Sequence, residues 1–259
     1  MRSIMKATGY MLIYISIQMA VMSIAAMACH GIYDAFIADN MLGLTALSNA
    51  LALSTAAIAA RLRGRKLSHI IRFKRVKART YVMPCVAALA YSIAISMLTY
   101  GIVFENSSQI QLSARHYSSI SPNLGIIMQV LALIVIAPIA EEVLCRGLML
   151  TALQADYGNI ASAVLSGLMF GIMHLMAGGG ALAAVSAGMG MLLAAAVIST
   201  GSLLPAIAAH MLANLPDLIL PLMPCPSDAV RYVIAVCAFA VCAAALYKCI
   251  ADERQAQVH

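Results

Sequence analysis

Apolar residues run along this chain almost without interruption, and short polar breaks divide them into eight stretches. These lie at about 10–29, 41–60, 81–104, 123–152, 159–177, 181–199, 202–223 and 229–250. Each approaches the ~20 residues that an apolar helix needs to cross a bilayer. The pattern predicts an all-α polytopic membrane bundle of about eight transmembrane helices. Residues 1–259 read as a single integral membrane domain, without tandem repeat or low-complexity tract. Gly167 and Gly171 form a G-x-x-x-G on one helix face, and five glycines fall within 178–190. Small faces of this kind let membrane helices approach closely, so the bundle is expected to be compact.

Composition narrows the class further. The chain is 63% hydrophobic and only 10% charged, with a mean hydropathy of +0.93, whereas soluble domains are about 25% charged. These values exclude a soluble enzyme, a disordered tail and a nucleic-acid-binding module. The net charge is +6, and nine of the sixteen Lys and Arg residues lie between Arg61 and Arg79. Between two apolar runs, such a segment reads as a cytoplasmic loop held by the positive-inside effect and resting against anionic lipid. With Arg2 and Lys6 also inside, alternation places both termini in the cytoplasm and the 30–40 loop outside, in a multi-pass protein of the cell membrane. The first run is longer than a signal-peptide core and is expected to stay as a span, despite the small-residue stretch Ala26-Met27-Ala28. Its removal would leave seven spans and the chemistry untouched. The seven cysteines (29, 85, 145, 225, 237, 242, 249) contain no C-x-x-C pair and read as packing residues.

Three acidic residues stand inside apolar runs: Glu141, Glu142 and Asp217. A carboxylate in hydrocarbon costs at least ~2.5–3.5 kcal/mol on insertion scales, so such groups face the bundle interior and serve a function by default. In IVIAPIAEEVLCRGLML, Glu142 and Arg146 are four apart and share a helix face, where they can neutralise each other. Glu141 points elsewhere and gains no such partner. Phe170 and His174 share a face of the next run. His210, Asn214 and Asp217 form a polar stripe two runs later. Burying this many polar groups needs a compensating gain.

Imidazole beside carboxylate can activate water by general-base catalysis. Two His and one Glu are also a catalytic zinc ligand set, which here would be Glu141, His174 and His210. Asn214 could donate its amide to a developing oxyanion. Neither G-x-S-x-G nor H-E-x-x-H occurs.

Glu141-Glu142-x-x-x-Arg146, Phe170-x-x-x-His174 and His210-x-x-x-Asn214, in this order, resemble the three-motif signature of the CPBP family. These are the type II CAAX prenyl proteases and bacteriocin-processing membrane proteins, also called the Abi family. The motif-bearing core spans about 123–223. The resemblance implies an intramembrane endopeptidase in which Glu141, assisted by His174, activates water while His210 and Asn214 stabilise the oxyanion. Glu142 and Arg146 would hold their helix in place, and Asp217, outside the signature, would be a supporting group. Members have been described both as metalloproteases and as glutamate proteases, so the resemblance leaves zinc open. The substrate it implies is a membrane-associated protein or peptide. The competing readings are a non-catalytic scaffold or bacteriocin self-immunity protein of the same fold, and a transporter relaying protons through the same groups.

Overall fold

The computed structural model describes residues 2–28, 33–62, 66–99, 108–220, 223–224 and 226–258. Cys29, Cys225, part of the 30–40 loop and part of the basic 61–79 segment lie outside them. Among the described residues the protein is helical, without strands. The helices are α1 (Arg2–Ala28), α2 (Tyr33–Leu62), α3 (Leu67–Ile70), α4 (Arg79–Leu98) and α5 (Ser108–Ile120). They continue as α6 (Leu124–Leu153), α7 (Asn159–Thr200), α8 (Leu204–Ala213), α9 (Leu215–Ile219) and α10 (Asp228–Val258). Six of them (α1, α2, α4, α6, α7 and α10) are long and apolar enough to cross a membrane. The protein is a multi-pass membrane bundle.

The predicted runs 159–177 and 181–199 are both arms of α7. Backbone angles leave the helical region at Gly178 and Gly179 (φ 68°, ψ −164° at Gly179), a conformation open essentially to glycine alone. The arms fold back on each other: a Cβ on Gly171 would stand 2.4 Å from the Ala183 carbonyl oxygen, and one on Gly190 would stand 2.8 Å from Gly167 Cα. The G-x-x-x-G face is thus the seam of an antiparallel hairpin. The predicted run 202–223 is shorter than a span and splits into α8 and α9. Pro216 brings no N–H to the helical ladder, and the break falls at Asn214.

Two expectations are corrected. Residues 33–40, read as an outer loop, are the first turns of α2. The stretch before 123, read as a connection, contains α5, too polar and short to stand out as a span. Gly125 lets it pack on α6, since a Cβ there would be 2.2 Å from the Ala114 carbonyl oxygen.

The buried interior is rich in alanine, while Leu12, Ile24, Met176, Val233 and Val236 face outward. Lipid offers no hydrophobic drive for helix association, so close packing of small side chains does the work.

Helix ends gather at two poles. At one, the Ser3 amide donates to the Asp156 carboxylate (3.2 Å) and Arg72 Nη2 to Gln154 Oε1 (2.7 Å). The Leu203 amide donates to the Arg72 carbonyl at 3.1 Å, and Ser199 Oγ contacts Cys249 Sγ at 2.8 Å. Hydrogen bonds from Ser3, the side chain first and the backbone second, hold the Asp156 carboxyl below the usual carboxylate range. At the other pole the Leu42 amide donates to Ser113 Oγ and Arg231 Nη1 to the Met97 carbonyl. The extended 72–78 segment, with Lys74, Arg75 and Lys77 exposed, belongs to the first pole.

Candidate active site

The adjacent glutamates lie in α6, between two stretches of wider π-type winding, Val130–Ile136 and Val143–Met149. Such windings often accompany functional sites, and here a proline explains one consequence. The Ala137 amide bonds the Ala132 carbonyl, five residues back. The next carbonyl, Leu133, would need the amide hydrogen of residue 138, which is Pro138 and has none. Asn214 supplies the missing donor: its Nδ2 reaches Leu133 O at 2.8 Å. The side chain expected at an oxyanion therefore has one amide hydrogen engaged by the backbone of α6.

Glu142 and Arg146 form the expected pair, Oε1 to Nη1 at 2.8 Å, and both side chains are fully buried. The same Oε1 also meets His210 Nδ1 at 2.9 Å, a link the sequence did not suggest. With Glu142 as the acceptor, Nδ1 carries the hydrogen and Nε2 is left facing the second glutamate. It stands 3.8 Å from Glu141 Oε2. Arg146 is further held by the Gly190 carbonyl (Nη2 to O, 3.0 Å) and lies over the Phe170 ring, 4.4 Å from its centre. Glu142 Oε2 and Arg146 Nε find no hydrogen-bond partner, which costs about 1–3 kcal/mol each.

Phe170 joins the motifs. Its ring packs against Arg146, against His174 (centroids 4.5 Å apart) and edge-on against His210 (5.8 Å). His174 Nδ1 meets the Phe170 carbonyl at 2.9 Å, so it carries the hydrogen and Nε2 is the uncommitted nitrogen. Within 4 Å of the Glu141 carboxylate, the imidazole present is that of His210, not that of His174. Asp217 is exposed on α9 and lies outside this bonded group. Cys145 is buried, its sulfur 3.7 Å from Met173 Sδ, in keeping with packing.

Two residues at the site escaped the sequence reading. Tyr14 Oη donates to Asn49 Oδ1 at 2.8 Å and stands 3.4 Å from Glu141 Oε1. Tyr14 lies on α1, so loss of the first span would reach the site after all. Counted from the pole that holds Ser3, Leu62 and Leu153, Tyr14, Asn49 and Glu141 all lie about 18 Å deep at 1.5 Å per residue. That depth is close to the middle of a bilayer.

Zinc coordination by Glu141, His174 and His210 would require all three at one point. Among the described residues no three His, Cys, Asp or Glu side chains are grouped to hold a metal ion. The arrangement does not fit that ligand set.

Residues 123–216 match the family model described as "Rce1-like: Type II CAAX prenyl endopeptidase Rce1-like". The match agrees with the resemblance of the three motifs to the CPBP family of intramembrane proteases. The matched segment makes up about a third of the chain and holds Glu141, Glu142, Arg146, Phe170, His174, His210 and Asn214. It leaves out Tyr14, Asn49 and Asp217. Neither a curated protein nor a solved structure matches the chain.

Proposed function

We propose that this protein is an intramembrane endopeptidase that hydrolyses a peptide bond of a membrane-associated protein or peptide. The whole chain would act as one integral membrane unit around its CPBP core. Glu141 is the base. Its buried carboxylate takes a proton from water as the water oxygen bonds to the scissile carbonyl carbon. His210, held through Nδ1 by Glu142, turns Nε2 toward the same place. The proton that Glu141 takes passes to His210 Nε2, which then hydrogen-bonds the oxyanion and gives that proton to the amine nitrogen as the C–N bond breaks, leaving Glu141 ionised and His210 neutral again. His174 and the second amide hydrogen of Asn214 complete the polar lining. No step runs through a metal.

The observation that carries this reading is the buried pairing of Glu141 Oε2 with His210 Nε2, backed by Glu142 and Arg146. A low-dielectric site strengthens each of these electrostatic contacts. The scaffold or immunity alternative would not need an imidazole turned toward a spare carboxylate.

The test is cleavage of quenched fluorogenic peptides by the reconstituted protein, with and without a prenylated C-terminal cysteine. Wild type should cleave, and Glu141→Gln should lose at least about a hundredfold in rate while remaining inserted and folded. Cleavage by Glu141→Gln at the wild-type rate would sink the assignment. Preference between the two peptides reads out the substrate class.

A further inference from the structure

α1 and α2 lie outside the family-matched segment, yet each sends a polar side chain to its centre. Tyr14 and Asn49 are 6% and 1% exposed. Asn49 is anchored, its Nδ2 donating to the Thr45 carbonyl at 3.0 Å. That bond turns Asn49 Oδ1 to Tyr14, which donates to it at 2.8 Å. An amide and a phenol buried in a membrane bundle must satisfy each other or lose several kcal/mol on transfer from water. This pair does so and still leaves the Tyr14 oxygen 3.4 Å from Glu141 Oε1.

We infer that Tyr14 is a positioning residue for the Glu141 carboxyl group, its proton alternating between Glu141 Oε1 and Asn49 Oδ1. The inference rests on the reading of Glu141 as the base. A tyrosine hydroxyl has one proton to give. While Glu141 is ionised, Oε1 is the stronger acceptor because hydrogen bonds to charged groups are the stronger ones. Once Oε2 has taken a proton from water, Oε1 is an uncharged carbonyl oxygen. The Tyr14 proton then turns to Asn49. No proton leaves the trio in this rotation, and no covalent bond changes. Oε1 is held by Tyr14, so Oε2, the oxygen that faces His210 Nε2, is kept for the water. The N-terminal helices thereby orient the base supplied by α6.

Tyr14→Phe keeps the ring and removes only the hydroxyl. It should lower kcat about tenfold or more, as expected for a lost hydrogen bond to a charged group. KM should stay within about twofold and the thermal midpoint in detergent within a few degrees. Asn49→Leu, which removes the second acceptor, should give the same split to a smaller extent. It carries the test on the same criteria if Tyr14→Phe does not fold. A wild-type kcat, or a raised KM with kcat unchanged, overturns the inference. Glu141→Gln measured in parallel keeps the two readings apart. If it still cleaves, the base assignment itself fails. If it is inactive while Tyr14→Phe is fully active, only the role of Tyr14 fails.

Discussion

At the scale of single residues, the site is a chain of shared acceptors. Glu142 Oε1 serves both Arg146 and His210, so a glutamate that the spacing assigned to a structural pair also sets the tautomer of the neighbouring imidazole. Asn214 shows the same economy in reverse. Its amide completes the backbone at Leu133, where Pro138 withholds a hydrogen. Asn214→Ala should therefore lower stability by about 1–3 kcal/mol, the cost of a buried unpaired carbonyl. Pro138→Ala restores a backbone donor, so the double variant should recover about 1 kcal/mol or more relative to additivity. Thermal unfolding of the four proteins in one detergent checks this, and strict additivity would refute it.

Among the elements, the hairpin of α7 brings the Gly190 carbonyl and the Phe170 ring together against Arg146. Its two arms touch through backbone at Gly171 and Gly190, and its turn needs the positive φ of Gly179. Gly179→Val should cost about 1–3 kcal/mol in backbone strain although nothing stands within 4 Å of that position. Gly171→Val should cost more, because its side chain would run into the backbone of the opposing arm. Thermal midpoints should fall in that order. Equal midpoints for Gly171→Val and wild type would contradict the close seam.

At the scale of the molecule, helix ends separate into two poles, one holding Ser3, the 72–78 segment, Asp156 and Leu203. From the positive-inside effect we propose that this pole faces the cytoplasm. Reporter fusions at Lys66, Asp156 and Arg254 should then report one side and a fusion at Ser121 the other. Opposite signals from Lys66 and Asp156 would break the two-pole arrangement. Under the proposed function sidedness matters, because Glu141 lies about 18 Å from that pole at 1.5 Å per residue. A membrane-anchored substrate would have to bring its scissile bond there, well below the exposed cations Lys74, Arg75 and Lys77.

The sequence by itself determined the membrane class, the helical fold and the α6–α8 polar set. Charged groups stand out against an apolar background, and spacing of four within a helix is a local property. It gave the Glu142–Arg146 pair for the same reason. What it could not decide is which side chains from separate helices face one another. Tyr14 and Asn49 are ordinary residues of apolar helices until tertiary packing sets both beside Glu141. The contact of Glu141 with His210 depends on the relative placement of α6 and α8. Likewise, the engagement of Asn214 by Leu133 follows from a wider winding before Pro138, which no hydrophobic periodicity records. Contacts within one helix follow from spacing along the chain, whereas contacts between helices depend on how far each is shifted and rotated in the packed bundle.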